Sequence, residues 1–248
     1  MRVALQNWAA WANGVEGEGA WRAWTQRPTA PSRGDPPDVS FVPALQRRRC
    51  DALARSMLYV ARACCPDGGA AAIPTVFASR HGPLTTTVAM LRDLAAHRPL
   101  SPTRFSHSVH NTQAGLFSIW SGNRSPSASI SARHETFVQG YLEALCMLHR
   151  SAAGRVLFVT GDEPIPEELA ALHDEGAGGY AVALLLSRAE GDAIGLDRRP
   201  DEAGAPLSRA WPDALEFVRW WLSGEPTLSI RRSGIRWTWA RGAEPSAS

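Results

Sequence analysis

Between Arg124 and Leu145 the chain reads RSPSASISARHETFVQGYLEAL. Ser127, Ala128, Ser129, Ile130 and Ser131 are small or β-favouring; a polar corner follows, and Phe137, Tyr141, Leu142 and Leu145 then recur at helical spacing. A strand that bends sharply into a helix is a common mount for a nucleophile, because the bend exposes one side chain beside backbone N–H groups without a helical partner. The polar residues available at this bend are Ser131, Arg133, His134 and Glu135, with no cysteine among them. Ser131 and His134 lie three apart and, with Glu135 or Asp162 as a third member, supply the residue types an acyl transferase or hydrolase needs. No G-x-S-x-G frames them, and Ser131 ahead of Glu135 is one residue off a capping box, so helix capping explains the same residues.

Other reactive side chains point to less. His107 and His110 have the i, i+3 spacing of a helical metal pair, but no carboxylate or thiol is placed to complete a site, and no metal is expected. Cys50, Cys64, Cys65 and Cys146 form no C-x-x-C and read as reduced thiols in packing positions. Arg47, Arg48 and Arg49 make a basic run, a solvated helix end or a contact for an acidic partner. The formal net charge of +2 gives no argument for nucleic acid. No run of eighteen apolar residues indicates a membrane span, and the opening MRVALQNWAAWANG reads as a first strand of a cytoplasmic protein rather than a leader.

The elements that must position the corner follow from periodicity. Arg2 to Trp8 suits a strand; residues 25–43, with five prolines, suit a loop; Ala44 to Cys64 carries the clearest helical pattern. Ile73 to Ala78 reads as a strand, 84–96 as a helix, Arg104–Val109 as a strand and Asn111–Trp120 as a short helix. RVLFVT at 155–160 and YAVALLLS at 180–187 are buried-type strands, the second preceded by the flexible EGAGG, and 189–210 is polar. A helix over 212–223 and a hairpin around Ser233-Gly234, with Ile235, Trp237 and Trp239 on one face, close the chain before a fraying tail. Strands alternating with helices predict an α/β fold: a mixed, mostly parallel sheet covered by helices on both faces.

The ordered series MRVALQNWAAWANG, RRRCDALARSMLYVARACC, PTVFASRHG, SPTRFSHSVHNTQAGLFSIWSG, SPSASIS and GYAVALLLS resembles the N-terminal half of β-ketoacyl synthases, enzymes of the thiolase fold. The resemblance covers residues 1–190, leaving 191–248 as a C-terminal helix plus Trp-rich hairpin packed on the same domain. More narrowly, residues 40–125 look like chain-length-factor-type subunits that accompany aryl polyene ketosynthases. Active synthases carry a cysteine at the elbow; counting eight positions from Pro126 gives His134, and matching Gly140 to the family glycine gives Phe137 instead. Neither register supplies a thiol, and a thioester-forming synthase needs one. The family's two second-half histidines also find no match; His81-Gly82 precedes the elbow and runs into Pro83.

The resemblance therefore implies a non-catalytic partner of a cysteine-bearing β-ketoacyl-ACP synthase, a heterodimer that bounds an acyl tunnel in polyketide or fatty-acid biosynthesis, with no cofactor. It places the seam at Asn111–Trp120, Ser127–Ser131 and helix 135–149, with Asn111, Phe117, Trp120, Ser129, Ser131, His134, Phe137 and Tyr141 as tunnel or interface residues. Arg47, Arg48 and Arg49 become candidates for touching the acidic acyl carrier protein. An acyl transferase or hydrolase using Ser131 and His134, and a stand-alone scaffold, are the competing expectations.

Overall fold

The computed structural model describes residues 1–66, 71–172, 178–201 and 211–242. The tail after Gly242, residues 202–210 of the polar stretch and most of EGAGG lie outside the described residues. In chain order the strands are β1 (Arg2–Ala12), β2 (Val15–Glu16), β3 (Thr75–Ala78), β4 (Ser127–Ile130), β5 (Arg155–Asp162), β6 (Tyr180–Ser187), β7 (Asp192–Pro200), β8 (Thr227–Arg232) and β9 (Ile235–Arg241). The helices are α1 (Gly17–Gln26), α2 (Ala44–Arg47), α3 (Ala52–Cys64), α4 (Leu84–Ala95), α5 (Pro102–His107), α6 (Thr112–Ser121), α7 (Thr136–Arg150) and α8 (Asp213–Ser223).

The strands form one mixed sheet in the order β4-β3-β5-β6-β1-β7-β9-β8, with β2 paired to β1. Parallel pairing is confined to the β4-β3-β5 end, which carries the elbow; the other pairs are antiparallel. Parallel neighbours need helical crossovers, which α7 and the segment holding α4 to α6 supply, whereas β8 and β9 are joined by a two-residue turn. In that turn Ser233 and Gly234 have φ of 45° and 72°, the twisted geometry that matches paired antiparallel strands.

Helices cover both faces, as the strand pattern requires. Val156 and Phe158 of β5, with Val182, Leu184 and Leu186 of β6, enter one core with α1, α7, α8 and the hairpin tryptophans Trp237 and Trp239. Their alternate neighbours Leu157, Val159, Ala181, Ala183 and Leu185 enter a second core with α3 and α6.

Four elements differ from their sequence expectation. The long helix over 44–64 is divided, because Asp51 accepts a hydrogen bond from the Ala54 N–H at 2.7 Å and starts α3 afresh. Residues 102–107 are helix α5 rather than a strand; Ser101 accepts from the Arg104 N–H and Pro102 occupies the first turn. Gly17–Gln26 forms α1, and the polar stretch after 189 contains β7.

Candidate functional site

The corner after β4 is built by short-range hydrogen bonds. Ser131 and Ala132 lead into a single 3-10 turn at Arg133–Glu135, and α7 follows at once. Thr136 Oγ1 accepts from the Ala132 N–H at 3.0 Å and donates to the Arg133 carbonyl at 2.7 Å, which closes the bend. Arg133 sits at φ 54°, a conformation that costs a residue with a Cβ and marks the corner as strained. Behind it, α7 lies hard against the sheet: a Cβ on Gly140 would come within 2.8 Å of Phe158 and 2.9 Å of Ala78.

His134 is exposed at the tip, and side chains from distant elements meet it. Its Nε2 lies 3.2 Å from Arg80 Nη2, while the Arg80 carbonyl accepts the Ser131 hydroxyl at 3.1 Å. Its carbonyl lies 3.2 Å from Arg232 Nε, and Arg232 also makes a two-pronged contact with the buried carboxylate of Asp213. Below the tip, Arg80, Thr136, Thr160, Asp162 and Tyr180 surround a cleft of only about 20 Å³, room for one water and far too small for an acyl chain.

The space below the corner is filled by rings. Phe137 is buried and packs against Phe217 at 5.6 Å, Phe158 at 5.8 Å, Trp239 at 6.0 Å and Tyr141 at 6.2 Å between centroids. Burial pushes the Tyr141 hydroxyl well above the ordinary tyrosine range.

Beside the corner, at the ends of β3 and β5, stand two carboxylates, the half-buried Asp162 and the buried Glu163. Asp162 accepts from Ser79 Oγ at 2.7 Å, the His81 N–H at 3.0 Å and Tyr180 Oη at 3.2 Å; desolvation outweighs these bonds and raises its pKa. Glu163 accepts the Thr85 N–H at 2.5 Å at the start of α4, and burial pushes its pKa up to about 7. His110 Nε2 contacts the Ser79 carbonyl at 2.9 Å, which ties the approach to α6 to the same region. Among the described residues no group of three or more metal-ligating side chains is present, and no helix is long and apolar enough to cross a membrane.

The residues singled out from the sequence fall into three places. Ser131 and His134 share the exposed corner, with Ser129 half-buried in β4. On α6, Asn111 is exposed at the cap and Trp120 half-buried, whereas Phe117 is in the core against Phe77 at 5.4 Å and Trp120 at 5.9 Å. Phe137 and Tyr141 belong to the core on the other face of the sheet. Arg47 ends the one-turn α2 and reaches the Ser40 carbonyl; Arg48 and Arg49 are exposed. The corner's partners Arg80, Asp213 and Arg232 carry no local sequence signal, because only the tertiary fold brings them together.

A model of the β-ketoacyl synthase N-terminal domain matches residues 21–240. The chain belongs to this family. Among solved structures it is similar to a ketosynthase (ApeO) in complex with its chain length factor (ApeC) from Xenorhabdus doucetiae, at 28% identity and a TM-score of 0.84, over 97% of this chain and 100% of that one. It shares the fold of the ishigamide ketosynthase/chain length factor, at 16% identity and a TM-score of 0.64, over 81% of this chain and 68% of that one. It also shares that of a β-ketoacyl synthase from Burkholderia phymatum STM815, at 14% identity and a TM-score of 0.60, over 82% of this chain and 65% of that one. No curated protein sequence matches it significantly. The thiolase-like α/β fold expected from the segment order is the one this β-ketoacyl synthase domain adopts.

Proposed function

We propose that the chain is a non-catalytic, chain-length-factor-like partner of a cysteine-bearing β-ketoacyl-ACP synthase, bounding the acyl tunnel at a heterodimer seam in cytoplasmic aryl polyene biosynthesis. The observation that carries this reading is an edge strand, β4, that pairs on one side only among the described residues, beside a corner that holds no thiol. The carbonyls of Pro126 and Ile130 accept from the Thr75 and Ser79 N–H groups of the β3 side. By strand alternation the backbone N–H and C=O groups of Ser127 and Ser129 therefore face outward. Nothing on β4 deters pairing: its SASI side chains carry no charge and no proline. The opposite edge, β8, ends in Arg231 and Arg232.

Condensation needs a sulfur nucleophile to hold the chain; here His134 stands at the tip, tied to Arg80 and Arg232. The aromatic filling below it leaves shape as the contribution this subunit makes. In this reading Trp120, backed by Phe117, presents the wall that limits product length, and Arg47–Arg49 are available to a carrier protein. Similarity to a ketosynthase and chain length factor pair supports the assignment.

Co-expression with the ketosynthase encoded beside it tests the proposal. The two chains are expected to co-purify one to one, and omission of this chain to change or abolish the product-length distribution. Separate elution with unchanged products would refute it.

A further inference from the structure

At the end of α7 away from the corner the surface holds two open cavities of about 610 Å³ each, within the usual size of a small-molecule site. Glu143 and Met147 line the first, Leu145, Leu148 and His149 the second, and Cys146 and Arg150 line both. The two cavities therefore flank the last turns of one helix and meet across the exposed Cys146 and Arg150.

Their walls are chemically opposite. In the first, Met147 is joined by Ala72, Pro74, Pro126, Ala152 and Ala153, with Glu143 as the one carboxylate. The second brings together Arg2 at the start of β1, Arg150 at the end of α7 and Arg188 just beyond β6, beside His149 and with no acidic residue in the lining. None of these three arginines pairs with a carboxylate among the described residues. A helix C-terminus draws a cation toward it, but it carries only about half a charge and does not account for three guanidiniums.

The seam between the cavities is fixed. Arg188 Nη2 donates to the Ser151 carbonyl at 2.9 Å and the Arg188 N–H to the Gly154 carbonyl at 3.0 Å, which fastens the turn after α7 to the end of β6. Ser151 lines the apolar cavity, is 6% exposed, and has a hydroxyl with no hydrogen-bond partner among the described residues. An unmade hydrogen bond of this kind is a cost that a ligand oxygen removes once the side chain turns toward it.

We propose that the two cavities form one site for a soluble organic phosphate monoester with an apolar body. The body lies along Met147 and the two prolines, and the phosphate sits on Arg2, Arg150 and Arg188. Three guanidiniums offer more donors than the two oxygens of a carboxylate accept, and the three terminal oxygens of a phosphate suit them. Glu143 repels the anion from the apolar side and so sets the ligand's direction. The site does not depend on partnership with a ketosynthase.

The chain carries its own reporter. Cys146 is exposed while Cys50, Cys64 and Cys65 are buried, so the rate of its alkylation by iodoacetamide reads occupancy of the cavities it lines. Monomeric dodecyl phosphate is expected to slow that reaction by roughly tenfold or more at saturation, and inorganic phosphate or decanol alone by less than about twofold. Calorimetric affinity for dodecyl phosphate should fall by roughly tenfold or more in Arg150→Glu and in Ala152→Glu. Each variant should melt within a few degrees of wild type, because both positions are exposed.

Alkylation unaltered by dodecyl phosphate, or undiminished affinity in both variants, would overturn the site. Equal protection by dodecanoate would overturn the assignment to a phosphate. Flotation of the wild-type chain with phosphatidate-containing vesicles, abolished by Arg150→Glu, would make the ester a lipid headgroup and overturn its assignment to a molecule free in solution.

Discussion

Arg232 and Asp213 join the end of the C-terminal hairpin to the start of α8: Arg232 Nη2 lies 2.8 Å from Asp213 Oδ1, and both side chains are largely buried. The same guanidinium reaches the His134 carbonyl, so residues almost a hundred positions apart fix the corner. Removing one partner of such a pair leaves an uncompensated buried charge. Arg232→Ala is expected to lower stability by about 3–5 kcal/mol in urea unfolding. Arg232→Met combined with Asp213→Leu should recover most of that loss. Equal loss in the single and double variants would show that the ion pair is not what holds the hairpin.

The close approach of α7 to the sheet gives a second outcome. Gly140→Ala forces Phe158 or Ala78 to move, and overpacking of this kind costs about 1–3 kcal/mol. An unchanged urea midpoint would mean that the helix has slack it is not expected to have.

Glu163 makes stability depend on pH in a defined direction. Its pKa rises from 4.5 to about 7 on folding, so between those values the folded chain keeps a proton that the unfolded chain has released. Stability is therefore greatest, for this group, below 4.5 and declines as pH climbs to 7, by about 3 kcal/mol in total. Glu163→Gln should remove that part of the slope in urea melts taken from pH 5 to 7. A wild-type slope that survives the substitution intact would assign it to other groups.

Which parts of this were legible in the sequence depends on how local their cause is. RVLFVT and YAVALLLS are buried on both faces and announce themselves as strands, and the spacing of Phe137, Tyr141 and Leu145 fixes α7. The β7 strand was hidden because only Ile194 and Leu196 are buried along it, among Asp, Arg, Gly and Pro. Helix α5 was hidden behind FSHSV, which alternates like a strand; the Ser-Pro start was the signal that decided it. At the corner, the bend and its lack of sulfur could be read directly. Its clamp could not, since Arg80 and Arg232 stand 54 and 98 positions from His134.

The open edge of β4 can be closed without touching the core. In Ser129→Pro the lost N–H is one that faces away from β3, so the isolated chain should melt within a few degrees of wild type. Binding to the ketosynthase should fall by at least 100-fold in an affinity measurement. Full binding by this variant would remove strand addition from the seam.

Intact-mass spectrometry of the co-purified pair, taken after mixing with acyl-loaded carrier protein, bears most directly on where the growing chain is held. The acyl mass should appear on the ketosynthase subunit alone. An acyl adduct on this polypeptide would contradict the account.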